Sequence, residues 1–164
     1  AAGKTYGLAN YGSFAMNAMR MEKAFKGAGE LTNEVTLPEA DVMRFVRLDK
    51  AFRGKTATEA TAANPLRFVC VYLEVADDGM SDGNGGEAVL AGGKQIGTVS
   101  SIAYGHGVGK LLAFAYVKPE YAEPGTKLDV VVMGTTRAAK VLGEPAYDPE
   151  SLKPRTDAPV EAVA

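Results

Sequence analysis

Residues 96–132 read IGTVSSIAYGHGVGKLLAFAYVKPEYAEPGTKLDVVV. Two apolar stretches, IGTVSSIAY and LLAFAYV, flank the glycine-rich YGHGVGK, which holds the only histidine of the chain, His106. A phosphate loop of the G-x-x-x-x-G-K-[ST] kind needs a glycine at position 104 and a hydroxyl at 111, and Tyr104 and Leu111 stand there. The dinucleotide spacing G-x-G-x-x-G fails as well, because Lys110 occupies the third glycine position. His106 has no Asp, Cys or Ser at a local spacing that would build a triad, and one histidine makes no zinc site. The stretch therefore reads as two strands joined by a turn, with glycines supplying turn conformations.

Outward from this hairpin the same pattern repeats. LRFVCVYLEV (66–75), EAVLA (87–91), KQIGTVSSIAY (94–104), KLLAFAYV (110–117), KLDVVVMG (127–134) and TRAAKVL (136–142) are short apolar runs separated by turn-rich segments. Six such strands predict a small antiparallel β-barrel or jelly roll, in which closure or a second sheet protects the strand edges. The loop ADDGMSDGNGGE (76–87) is acidic, but its order does not match a calcium loop, and it reads as a solvated hairpin loop. The closing segment 144–164 has four prolines and little periodicity, so it is expected to wrap the surface or stay disordered.

Upstream, SFAMNAMRMEKAFK (13–26) places Phe14, Ala18, Met21 and Phe25 on one helical stripe, expected to be core, with Gly27 and Gly29 as the stop. Thr36 and Glu39 have capping-box spacing with Pro38 between them, which predicts a second helix start. MRFVRLDK (43–50) alternates enough for a short strand, and GKTATEATAANP (54–65) reads as a poor helix running into a boundary. The expected organisation is a mainly β chain with an α/β N-terminal segment at 1–63, a barrel at 64–146 and an extended tail at 147–164.

With 18 basic and 20 acidic side chains and a net charge of −2, nothing in the balance draws the chain to nucleic acid or an acidic membrane, and neither partner is expected. No apolar run approaches the roughly 20 residues of a membrane helix. The single cysteine, Cys70, lies within an apolar run, which implies a core thiol, no internal disulfide and a reduced, cytoplasm-like compartment. The chain opens on AAGKTYG with no initiator methionine, so a processed protein or a piece of a longer one is expected.

Together with its flanks, the 96–132 stretch resembles the C-terminal barrel of the glycine cleavage T-protein (aminomethyltransferase) family. Members of that family carry V-G-x-[VT]-[TS]-S-x-x-x-S-P, a lysine, an A-x-A-Y-V strand and P-G-[ST]-x-[LV]. The upstream AMNAMRME, TLPEA and DKAFRGK resemble the family's A-x-[DN]-[SA]-[LM]-R-[LM]-E, T-P-x-E-A and D-K-x-x-F-x-G-K elements. EKAFKG and AYDPESLKPR are most similar to the branch fused to flavin amine oxidoreductases, the dimethylglycine and sarcosine dehydrogenases or oxidases. The resemblance implies one-carbon transfer to tetrahydrofolate, with the N-terminal remainder of a parent protein as partner and FAD bound by that parent, not by this chain.

The family's catalytic aspartate lies outside the matched portion, so no catalytic residue and no metal ligand is assigned here. The resemblance points to three folate-binding positions. Met16 stands where the family often has a contacting arginine, and Arg44 where it often stacks a tryptophan. Tyr104 belongs to the loop that departs from the family pattern, with Gly105 and His106 in place of Ser-Pro. Arg20 and Glu22, matching the family's R-x-E, read as packing and ion-pairing residues. A stand-alone barrel serving as an interaction module, or part of a folate-dependent demethylase, remain the alternatives.

Overall fold

The computed structural model describes residues 3–79 and 83–155. Strands β3 (Lys94–Gly105) and β4 (Lys110–Val117) form the expected hairpin, in register from Gly105↔Lys110 to Gly97↔Val117, with a turn at residues 106–109. β1 (Val69–Val75) adds to the other side of β4, and β2 (Ala88–Ala91) to the other side of β3. β5 (Lys127–Val132) and β6 (Thr135–Leu142) make a second hairpin. Its two-residue turn, Met133–Gly134, has both φ angles positive at 49° and 83°, which suits the right-handed twist of the flanking strands. β5 pairs with β2 and β6 pairs back onto β1, so the order β1-β4-β3-β2-β5-β6 closes into a six-stranded antiparallel barrel. Closure leaves no long unpaired edge, which resolves the barrel-or-jelly-roll alternative.

The alternation along each strand sorts the core. Val71, Leu73 and Val75 of β1, Leu111 and Ala113 of β4 and Leu128, Val130 and Val132 of β5 fill the interior. β1 and β4 are apolar on both faces, and their outward residues Cys70, Tyr72, Leu112 and Phe114 form a second cluster under helix α1 (Ser13–Glu22), capped by Ala18 and Met21. Burial on both faces is why these two strands read as largely apolar runs, broken in β1 by Glu74, rather than alternating ones. Cys70 is buried, as its setting implied.

The N-terminal segment differs from expectation in three places. The first helix runs over Ser13–Glu22 and not to residue 26, because Ala24 takes a left-handed φ of 52° and turns the chain before Phe25. Only the second half of the helix, at Ala18, Met21 and Glu22, is buried against the barrel, so Phe14 and Phe25 are exposed despite lying on the same stripe. Thr36 and Glu39 form one half of the capping box, the Thr36 N–H donating to Glu39 Oε2 at 3.0 Å, and the Thr36 hydroxyl donates to the same oxygen at 2.8 Å. A single turn follows and no helix, since Asp41 is left-handed at φ 52°. Residues 43–50 form no strand but a short 3-10 turn, Met43–Phe45. They alternate between exposed and half-buried positions, with Met43, Val46 and Leu48 half-buried, and find no edge of the closed barrel to pair with. Helix α2 (Lys55–Ala63) forms where a poor helix was expected and buries no residue.

After β6 the chain doubles back to α1, where the Tyr147 N–H donates to the Glu22 carbonyl at 3.0 Å. Residues 156–164, part of the expected tail, lie outside the described residues, as do residues 80–82 of the acidic loop.

Candidate functional site

A bulge in β3 is the starting point of the site. The register shifts between Val99 and Ser101, which leaves Ser100 as the extra residue. Both serine hydroxyls then reach the same acceptor, Glu30 Oε1, Ser100 at 2.9 Å. Glu30 is fully buried, and its other oxygen accepts from the Gly27 N–H at 2.7 Å and from Arg20 at 3.0 Å. Arg20 in turn holds Asn17 Oδ1, the Phe25 carbonyl and the Ser101 hydroxyl. A buried carboxylate is tolerable only when charge-paired and fully hydrogen-bonded, and this one is. Gly29 is required by close approach, since a Cβ there would stand 2.7 Å from Ser101 Oγ.

This network fixes residues 25–30 against the barrel and so aims Lys26. Its ammonium donates to the Asp41 carbonyl at 3.0 Å and to Asp41 Oδ2 at 3.1 Å, and lies 5.9 Å from the centre of the Phe114 ring. Three residues on, Arg44 is exposed, lies against the Phe45 ring at 4.8 Å and makes no ion pair among the described residues. Lys23, Lys26, Asp41 and Arg44 line a cleft of about 460 Å³, together with Cys70, Tyr72 and Phe114 of the barrel and Gly143–Pro145 and Ser151 of the closing segment. Lys23 joins the end of α1 to the closing segment by donating to the Asp148 carbonyl at 2.7 Å and to Ser151 Oγ at 3.0 Å.

Cys70 and Tyr72, which line the cleft, are held neutral by burial, and Tyr116 and Glu39, beside Cys70, are shifted too. Burial pushes the Cys70 thiol up to about 12, with the Lys26 charge opposing, so it stays protonated and is no nucleophile. Burial likewise raises the Tyr72 phenol to about 12, and its hydroxyl donates to the Met21 carbonyl at 2.7 Å. Tyr116, raised chiefly by burial, donates to the Glu30 carbonyl at 2.5 Å. Glu39 is held down at about 2, first by hydrogen bonds from Arg67 at 2.7 and 2.9 Å and then by those from Thr36.

The three positions singled out in the sequence do not converge. Arg44 is on the cleft wall. Met16 is exposed on the first half of α1 and does not line the cleft. Tyr104 packs its ring on the barrel interior and edge-on to His106, at 5.1 Å between centroids. Arg20 and Glu22 are indeed structural: Arg20 pairs with Glu30, and Glu22 accepts the Gly107 N–H at 2.7 Å. The sequence reasoning missed Lys23, Lys26, Glu30 and the paired serines. The signal was present in the consecutive Ser100 and Ser101, whose two side chains can share a face only through a bulge.

Residues 67–148 match the glycine cleavage T-protein C-terminal barrel domain. The chain belongs to that family. It is 38% identical over 157 residues to the mitochondrial dimethylglycine dehydrogenase of Rattus norvegicus, covering 94% of this chain and 18% of that protein. It is 35% identical over 148 residues to the aminomethyltransferase of Saccharopolyspora erythraea, covering 88% of this chain and 40% of that protein. The crystal structure of the glycine cleavage system aminomethyltransferase T from Bartonella henselae shares the fold, with a TM-score of 0.71 at 20% identity over 81% of this chain and 38% of that one. The chain thus spans less than half the length of each of these relatives.

Proposed function

We propose that this chain is the barrel end of a tetrahydrofolate-dependent aminomethyltransferase domain in a dimethylglycine or sarcosine dehydrogenase-like enzyme, and that it supplies folate-binding surface rather than a catalytic acid. The observation that carries this reading is Arg44, an exposed guanidinium without an acid partner among the described residues, at the wall of a cleft of about 460 Å³. A folate offers a planar ring system and a glutamate end. Arg44 and Lys26 suit the carboxylates, and the exposed Phe25, which lines the same cleft, suits an apolar face, so the residues present fit the group; Met16, exposed on α1 but off the cleft, is left to a part of the ligand that extends beyond it. Tyr104 stays a weaker member of the proposed set, its ring being occupied by the barrel interior and by His106.

When bound, tetrahydrofolate supplies the amines that accept the one-carbon unit. The residues of this chain bind and orient. Arg44 pairs with an anionic end of the ligand, while Lys26 holds the 41–45 turn in place. Acid–base work requires a carboxylate within reach of the reacting amines. Asp41, the acid on that wall, is engaged by Lys26 and largely exposed. The catalytic acid and the FAD site belong, in this reading, to the N-terminal remainder of the parent. Tyr6, Leu8, Tyr11 and Phe14, all exposed, are the surface that remainder would cover. Cys70, held as a buried thiol, suits a reducing compartment, whether cytoplasmic or the mitochondrial one in the names of the vertebrate dehydrogenases.

Titration calorimetry with tetrahydrofolate tests the proposal. Binding by the chain, weakened at least fivefold by Arg44→Ala with folding intact, is expected. No condensation of formaldehyde with tetrahydrofolate above the uncatalysed rate should occur. Absence of binding, or turnover by the chain alone, refutes the reading.

A further inference from the structure

The cleft holds a second cation in an unusual arrangement. Lys26 has a side chain only 12% exposed, whereas the Asp41 carboxylate that it contacts is 66% exposed. An ammonium has three protons to donate, and Asp41 uses two of them through its carbonyl and Oδ2. The carbonyl contact belongs to the fold, because it holds the left-handed Asp41, whose N–H also donates to the Pro38 carbonyl at 3.0 Å. The carboxylate contact does not. A largely hydrated carboxylate gains little from an exposed ion pair and loses little on leaving it.

The lysine backbone cannot follow if the carboxylate leaves. Arg20 holds the carbonyl of Phe25 at 3.0 Å, and Glu30 holds the N–H of Gly27 at 2.7 Å, so both neighbours of Lys26 are anchored to the bulge in β3. Arg44 lines the same cleft. Of the other charges that line the cleft, Lys23 is tied to Asp148 at 3.6 Å, and Glu144 is exposed. A carboxylate entering the cleft is therefore drawn to Lys26 and Arg44 and repelled by Glu144.

We propose that Asp41 is an internal stand-in for a ligand carboxylate: Lys26 exchanges the Asp41 carboxylate for one end of a small dicarboxylate bound in the cleft, with Arg44 taking the other end. Within the proposed function, on which this step rests, that dicarboxylate is the glutamate end of the folate. Lys26 is then a binding residue that the family resemblance does not supply, and Asp41 is the group that keeps it from collapsing onto other partners when the cleft is vacant.

The test is a titration of the 164-residue chain with glutarate, followed by ¹H–¹⁵N shifts of residues 23–45, with butyrate and sulfate as controls. Glutarate should bind more tightly than butyrate or sulfate. Asp41→Asn should strengthen glutarate binding about threefold, since the competing charge is gone and the carbonyl contact stays. Lys26→Met should weaken it at least fivefold, and Lys26→Arg should retain it; the arginine variant keeps the question decidable if the methionine variant fails to fold. If Asp41→Asn leaves glutarate affinity unchanged or lowers it, Lys26 and Asp41 are only a structural pair and the proposal is overturned. Equal affinity for all three anions overturns it too. Tetrahydrofolate separates the two claims: folate binding indifferent to Lys26→Arg and Lys26→Met sinks this step alone, whereas glutarate binding without folate binding sinks the folate reading and leaves the dicarboxylate site.

Discussion

The turn at 105–109 yields a sharp prediction at Gly107. The glycines of YGHGVGK read as suppliers of turn conformations, and among them the left-handed one is Gly109, at φ 63°, whereas Gly107 is not in that region. What Gly107 does is admit the Glu22 carboxylate. Its N–H donates to Glu22 Oε1 at 2.7 Å, and a Cβ at 107 would stand 2.9 Å from Oε2 and 3.2 Å from Oε1. Glu22 is 8% exposed, so its carboxylate has little room to retreat. Gly107→Ala must therefore stretch or break a hydrogen bond to a buried charged acceptor, at a cost of about 1.5–3 kcal/mol. Gly109→Ala meets nothing closer than the Tyr104 hydroxyl at 3.8 Å and costs only the left-handed penalty, about 1–2 kcal/mol. His106→Asn, at an exposed position, should stay within about 0.5 kcal/mol. Urea unfolding at pH 7, followed by circular dichroism, measures all three. The decisive arm is a double-mutant cycle: in a Glu22→Ala background, Gly107→Ala should cost less than about 0.5 kcal/mol. Additive losses, or a wild-type-like Gly107→Ala, would refute the close-approach argument.

Glu39 sets the acid limit. Its folded pKa of about 2 lies below the usual 4.5, so its stabilisation is complete above about pH 4.5 and fades as the pH falls toward 2. The full shift corresponds to about 3 kcal/mol, reduced to about 2 because the Arg67 guanidinium is largely in solvent; a Glu39→Gln variant should show no such loss in acid unfolding between pH 5 and 2. Cys70 should react with a thiol reagent only as fast as the protein unfolds, and rapid labelling of the native chain at pH 8 would contradict its pKa of about 12. A 64–155 fragment should keep its strand signature by circular dichroism but bind a hydrophobic dye, because Tyr72, Leu112 and Phe114 lose the cover of Ala18 and Met21. An unfolded fragment would show that α1 is part of the barrel's folding unit.

The barrel was legible in the chain because its elements are local statements. Glycine-rich turns separate apolar runs of strand length, and the hairpins β3–β4 and β5–β6 close between neighbours in sequence. β1 and β4 were visible as strands, but their burial on both faces is decided only by α1 covering them. The N-terminal segment could not be read in the same way. The stripe from Phe14 to Phe25 has perfect helical spacing, but how much of it is buried depends on where the helix lies across β3 and β4, and the left-handed Ala24 ends it early. Half of the capping box at Thr36 and Glu39 formed without a helix, since Asp41 turns left-handed after one turn, and Glu39 is also bonded by Arg67, 28 residues away. Arg44 was visible through resemblance, whereas Lys26 was not, because nothing within a few residues of it makes it a site. Its position comes from Glu30, which reaches serines 70 and 71 residues further along the chain. Local pattern specifies strands, turns and caps, each decided by backbone sterics and the nearest side chains; the cleft is made by partners far apart in sequence, and only the closed barrel brings them within hydrogen-bonding distance.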